Sequence, residues 1–327
     1  AQDMRQAQKG NGLPNEAVLI AFELQDTDVT YIPGMPPIRN AAGWGKLQGN
    51  RFEAGVTQGV VTFDGDREVE LVQGDFVTEP LNRRAAPGTI VGQVKGKTAD
   101  MLVLLNQDPL NLLASFDFDP ATVGGTTQAQ ATLKMPLIKD LTPAMIDIKA
   151  HADAQGVVVP NFVGDVDIDG GTLAIDVTQN QLVASGDVDV LDTAATVRWL
   201  ETFQPKAGEP QSVYDIATDI EAHELTRFGI TTAPFLTGPL EVEAHLEQRG
   251  GKLDMARVNL DLSDATVTLK DVEWTKAKGE RLTGRVDLAQ SDDGVWAINT
   301  LDFKGDDVSV EGSARFSETA GLLKAEL

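Results

Sequence analysis

From Leu240 to Glu247 the chain reads Leu, Glu, Val, Glu, Ala, His, Leu, Glu, so apolar and polar residues alternate at every position. Alternation of this kind puts all apolar side chains on one face of an extended strand and all polar ones on the other. An α-helix, which turns every ~3.6 residues, would scatter them around its circumference. The same pattern runs through Leu182–Val190, Val258–Leu262 and Leu282–Leu288. It returns in Asp307–Phe316, where Val308, Val310, Gly312, Ala314 and Phe316 share one side. The other side carries Asp, Glu, Thr, Ser and Lys. One greasy face and one wet face is the signature of antiparallel strands.

Turn-forming residues separate these runs: Asp169-Gly170-Gly171, Arg249-Gly250-Gly251, Asp292-Asp293-Gly294 and Lys304-Gly305-Asp306. Their spacing is the rhythm of a β-meander. In two places the apolar phase slips, from Leu253 and Met255 to Val258, Leu260 and Leu262, and from Leu269 to Val272 and Trp274. Such slips predict bulges or tight turns, which bend and twist a sheet. Glycine is abundant (31 residues) and aromatics are only 6% of the chain, which also fits short strands and many turns. Two stretches lack alternation. Ala99–Leu113 predicts a short helix, with Pro109 starting a second one after Asp108. Glu221–Phe228 predicts a single helical turn. The expectation is an all-β fold with few short helices: a polar segment over 1–17, then one continuous antiparallel meander over 18–327, with helical insertions near 99–113 and 221–228.

The charge balance limits what the chain can meet. Lys and Arg number 27 against 50 Asp and Glu, a formal net charge of −23. Nucleic acid would be repelled, and so would an anionic membrane surface. With no cysteine there is no disulfide, no thiolate nucleophile and no cysteine zinc site. No stretch approaches the ~20 apolar residues of a membrane span. The longest apolar runs, Ala17–Phe22 and Met101–Leu105, are of core length. Ala1–Gly12 is polar and unlike a signal peptide, and Gly321–Leu327 reads like the middle of a strand, so the expectation is a section of a longer chain.

Little in the sequence points to catalysis. His151 and His245 fall on the polar phase of their strands, where an imidazole is solvated, and His223 is the only other histidine. Neither Gly-x-Ser-x-Gly nor a glycine-rich phosphate loop occurs. Asp165, Asp167, Asp169 and Gly170 imitate a calcium loop, with Asp176 at its twelfth position. The flanking Val166, Ile168, Leu173, Ile175 and Val177 alternate as strands, whereas such a loop needs helices on both sides. Glu241 and Glu243 repeat along a wet strand face instead of converging as glycosidase carboxylates do. An enzyme would need polar side chains converging on the apolar face, and no such group stands out. Neither an enzyme nor a cofactor is expected.

Several segments taken together resemble the YhdP-like branch of the AsmA superfamily. Within Val258–Leu282, NLDLSDATVTLKDVEWTKAKGERL is similar to that family's D-L-T-x-A…W-x-K-x-x-G segment, through Asp261, Leu262, Ser263, Ala265, Trp274, Lys276 and Gly279. Tyr31, Pro33, Pro37, Gly43 and Phe52 match its Y-x-P…P…G…F opening. Asp108-Pro109-Leu110, Met135-Pro136-Leu137 and Trp199-Leu200-Glu201-Thr202-Phe203 fall in order between them. The resemblance covers residues from about 18 to 320. It implies an open, twisted and curved groove with an apolar concave face, placed in the periplasm of a Gram-negative bacterium. It also implies a parent protein anchored in the inner membrane that moves phospholipid between the two membranes. This chain lacks the family's membrane helix and final segment, so it looks like an internal section. Its partners would be phospholipid, the rest of its parent chain, and inner- and outer-membrane proteins reached through segments absent here.

The expected lipid-facing residues are Leu173, Ile175 and Val177; Leu182, Val188 and Val190; and Leu240, Val242 and Leu246. Val258, Leu260, Leu262, Val267, Leu269, Val286, Leu288, Val308 and Val310 would continue the same surface. Small residues beside them (Ala184, Ala244 and Ala314) leave room for acyl chains, each CH₂ contributing about 0.8 kcal/mol on burial. The alternative is a scaffolding β-sandwich whose apolar face is closed by a second sheet.

Overall fold

A computed structural model describes residues 18–113, 116, 118–163, 166–228, 230–270, 273–290, 296–317 and 321–326. The chain is 65% strand and 7% helix, far above the ~20–25% strand of an ordinary globular protein. It divides into two compact units, 1–165 with 172–181, and 166–171 with 182–327. No helix among the described residues is long and apolar enough to cross a membrane.

The first unit is built from β1 (Leu19–Val29), β2 (Ile38–Gln48), β3 (Arg51–Phe63), β4 (Arg67–Thr78), β5 (Pro87–Lys97), β6 (Gly124–Pro136) and β7 (Asp147–Val163). Each pairs antiparallel with the next. Residues directly opposite one another share a face, so the registers draw lines across the sheet. Phe22, Gly45, Ala54, Phe76, Ile90, Leu133 and Ile148 form one line. The next runs Leu24, Gly43, Val56, Gly74, Gly92, Ala131 and Ala150. The Phe22 ring lies across Gly45, in the space a Cβ would need. One end of this face is capped by α1 (Thr98–Leu105), whose Met101 packs against Ile38, Ala41, Val61, Phe63, Val69 and Leu71. Asp100 on the helix accepts from Arg67 at 2.7 Å.

The predicted helix stops earlier than expected. Asn106 N–H donates to Leu102 C=O, and residues 107–113 are turns and irregular chain, not a second helix. Pro109 has no N–H to donate and disfavours helical geometry in the residue before it.

The remaining strands, in chain order, are β8 (Val166–Thr178), β9 (Gln181–Val190), β10 (Thr193–Thr202), β11 (Ser212–Glu221), β12 (Leu236–Thr237), β13 (Pro239–Arg249), β14 (Lys252–Asp261), β15 (Thr266–Leu269), β16 (Trp274–Lys276), β17 (Leu282–Gln290), β18 (Trp296–Gly305), β19 (Ser309–Ser317) and β20 (Gly321–Glu326). In the second unit an antiparallel meander runs from β10 through β11, β13, β14, β17, β18 and β19 to β20. Neither meander is closed into a barrel.

The slip at Leu253 and Met255 is a bulge, since Glu247 pairs with Met255 but Gln248 with Leu253. The Leu269-to-Trp274 slip is the connection between β15 and β16; Val272 lies outside the described residues, as do Asp165 and Asp292-Asp293-Gly294. Asp169-Gly170-Gly171 is not a turn. β8 runs straight through it, with Gly171 at φ +128°. The backbone of Asp187 and Val188 passes so close that a Cβ on Gly171 would collide with it, and a glycine inside a strand commonly marks such an approach.

β12, β15 and β16 form a separate three-stranded sheet. With the 3₁₀ turn Ala222–Phe228 it seals one end of the second meander's apolar face. Ile220, Ala222, Leu240, Leu262, Ala265 and Leu282 are fully buried there. The Lys276 ammonium donates to the carbonyls of Leu262, Ser263 and Ala265. Ser263 N–H donates to Asp261 at 2.8 Å, and Gly279 N–H to Ser263 C=O. The residues of the Asp261–Gly279 segment are therefore the parts of this cap.

Candidate functional site

Three lines of side chains cross the apolar face of the second meander. The first is Thr218, Val242, Leu260, Gly284, Phe303 and Val310. The second is Ile216, Ala244, Val258, Val286, Leu301 and Gly312. The third is Tyr214, Leu246, Ala256, Leu288, Ile298 and Ala314. Seven of the expected residues therefore meet on one surface: Val242, Leu246, Val258, Leu260, Val286, Leu288 and Val310. Phe303 covers Gly284 as Phe22 covers Gly45.

Side-chain contacts place the others. Thr196 donates to Asp187 at 2.9 Å, and Thr196 is on the wet phase of β10, opposite in parity to the buried Val197. Asp187 is therefore on the wet face, and Leu182, Val188 and Val190 on the apolar one. In the first unit His151 meets Asp176 at 2.8 Å and stands opposite Gln130, on the wet face. Leu173, Ile175 and Val177 then point to the apolar side.

Five expected residues do not continue the open surface. Leu240 and Leu262 are sealed inside the cap, 3% and 5% exposed, and Val308 borders it. Val267 and Leu269 belong to the small sheet; Val267 packs against the cap, while Leu269 is exposed. Alternation alone cannot tell which sheet a strand joins, and Thr266–Leu269 is too short to declare itself.

Away from the cap the burial changes character. Val242 and Leu260 still pack against it, but Ala244, Val258, Val286, Leu288, Leu301 and Val310 are only half-buried, although they stand in mid-sheet. A closed sandwich packs such positions at crystal-like density. The opposite face is a lattice of charge. Arg198 and His245 both contact Asp215, at 3.6 and 2.7 Å. Arg257 and Arg285 share Asp287, each at 2.8 Å, and hold its carboxyl below the usual aspartate range, with the Arg285 hydrogen bond the chief cause. Glu241, Glu243, Asp261 and Asp302, with Arg285 and Lys304, border a shallow trough of about 390 Å³ on this wet side.

The sequence reading missed a polar group on the apolar face. Glu201 is 3% exposed and accepts from Trp199 Nε1 at 3.2 Å, Gln211 Nε2 at 2.9 Å and Ser212 Oγ. Trp199 and Tyr214 are stacked with ring centroids 6.0 Å apart. The Tyr214 hydroxyl donates to Gln248 at 3.3 Å. One signal was available: Glu201 falls on the same phase as Ala195, Val197 and Trp199. Its partners 10 and 11 residues away become neighbours only through the β10–β11 pairing. The hydrogen bonds satisfy the carboxylate and pin the two strands together.

Asp167 and Asp169 lie on β8, a strand and not a loop. No group of three or more metal-ligating side chains is assembled among the described residues. Compared with family models, curated proteins and solved structures, the chain gives no match.

Proposed function

We propose that this chain is a section of a periplasmic bridge protein of the AsmA kind, whose apolar sheet faces hold phospholipid acyl chains in transit between the inner and outer membranes. The observation that carries the reading is the half-buried state of Val258, Val286 and Leu301 in mid-sheet. Aliphatic side chains held this way gain about 25 cal/mol for each Å² of apolar surface that a ligand covers. The small residues among them, Ala244, Gly312 and Ala314, leave space along the face. The wet face, with its net acidic lattice, keeps the other side of the sheet in water. The partners on this reading are phospholipid, the rest of the parent chain and membrane proteins at either end.

A photo-crosslinking residue tests it directly. Placed at Val286 it captures phospholipid; placed at Glu243, on the wet face, it captures none. Equal yield at the two positions, or none at Val286, overturns the reading in favour of a scaffolding domain.

A further inference from the structure

The end of the first meander remote from α1 differs from the rest of the chain. It is built from two connections, 79–86 between β4 and β5, and 137–146 between β6 and β7. A bond from Leu137 N–H to Ala86 C=O at 2.8 Å ties them together. Four large apolar side chains stand out from them: Leu81, Leu137, Ile138 and Met145, at 39, 40, 38 and 46% exposed. Such a concentration on a protein surface marks an interaction site. Leu19 and Ile20, at the start of β1, are exposed at the same end.

The charge here differs from that of the chain. The two connections hold Arg83, Arg84 and Lys139 against Glu79 and Asp140, in a chain of net charge −23. Arg83, Arg84 and Lys139 are exposed, and none of them enters an ion pair among the described residues. The nearby Glu79 and Glu53 share Arg51, at 2.9 and 2.6 Å, and Asp147 stands opposite Lys134. Asp140 is a further acid on the second connection.

We propose that this end docks on an anionic lipid bilayer. Leu81, Leu137, Ile138 and Met145 enter the headgroup layer while Arg83, Arg84 and Lys139 pair with lipid phosphates. Apolar side chains among cations are what interfacial binding requires, the first for burial and the second for attraction. The side chains stand on two adjoining loops, and a fluid headgroup layer accepts them without a matching groove. The acidic residues elsewhere in the chain are repelled from the same surface, so binding is confined to this end of the first meander. This docking goes beyond the lipid-path reading and holds whether or not the apolar faces carry acyl chains.

Flotation of the full chain with phosphatidylcholine–phosphatidylglycerol vesicles, against phosphatidylcholine alone, is the test. The chain floats with the mixed vesicles only. The triple variant R83E/R84E/K139E loses roughly a hundredfold or more in affinity, at about 1 kcal/mol per basic residue. L137S/I138S/M145S also loses binding. Both variants keep the parent's circular dichroism and melting, because the altered side chains are exposed. The chain has no cysteine, so a single environment-sensitive dye can be attached. At M145C its emission shifts to the blue on mixed vesicles; at K206C it does not. No flotation of the parent chain, or equal flotation of the charge-reversed variant, overturns the proposal, as does capture of an acidic protein without vesicle binding. The R83E/R84E/K139E variant still yields lipid capture at Val286 if the lipid-path reading holds, so the two ideas fail separately.

Discussion

At the scale of single residues, His151 shows how the sequence looks like one kind of chemistry and the fold makes another. Asp176 occupies the twelfth position of an apparent calcium loop, but on the strand its carboxylate meets His151 Nδ1 at 2.8 Å. That hydrogen bond raises the imidazole pKa above 6.5, its ordinary value. A histidine raised on folding contributes its stabilisation fully below the unfolded pKa and loses it as pH rises through the folded one. The pair should therefore weaken as the solution passes above pH 6.5. Both groups are exposed, so solvent screening keeps the effect on stability small. Titration of the His151 ring protons by NMR should give a pKa above 6.5, returning toward it in Asp176→Asn. An unchanged midpoint in that variant would show that the pairing does not persist in solution.

At the scale of elements, the cap on the second meander hangs on one side chain. Lys276 is 3% exposed, and burial draws its ammonium pKa below the ordinary lysine value. All three of its N–H donors reach backbone carbonyls, at 2.5 to 2.8 Å. Lys276→Met would leave the Ala265 carbonyl without its donor, at about 1–3 kcal/mol if water cannot reach it, while Leu262 and Ser263 keep backbone donors in Ala265 N–H and Gly279 N–H. Lys276→Arg should not rescue it, because a planar guanidinium cannot copy a tetrahedral ammonium. Urea unfolding measures both, and a Lys276→Met variant as stable as the parent would refute the role. The strands around the cap were legible to very different degrees. β13 could be read outright, because eight residues in a row, Leu240–Glu247, carry the alternation. The bulge in β14 could be read from its phase slip. The cap itself could not, since its strands of two, four and three residues meet only after the chain has folded. The glycines at 170 and 171 looked like a turn because turn chemistry and close strand approach call for the same residue. Which partner strand lies beside them is a tertiary fact.

At the scale of the whole molecule, each apolar face has a sealed end and a half-buried expanse, and the two should respond differently to mutation. Leu240 is in the cap at 3% exposed; Val286 is half-buried in mid-sheet. Leu240→Ala removes a buried side chain and leaves a cavity, at about 2–5 kcal/mol. Val286→Ala gives up only part of its burial, at roughly 1 kcal/mol. A carboxylate separates the two regions further. In Leu240→Asp it is trapped in a dry cluster, where an unpaired polar group costs several kcal/mol and an unpaired charge more. In Val286→Asp it can reach water along the half-open face, so the fold survives. It now stands where acyl chains would lie. Denaturation and lipid capture read on the same protein decide the matter: Val286→Asp should melt within a few degrees of the parent while losing captured lipid from neighbouring positions such as Leu301. If it unfolds as Leu240→Asp does, the face is closed in solution, and its half-buried aliphatics belong to a scaffold's core. If it stays folded and still captures lipid, the acyl chains run elsewhere.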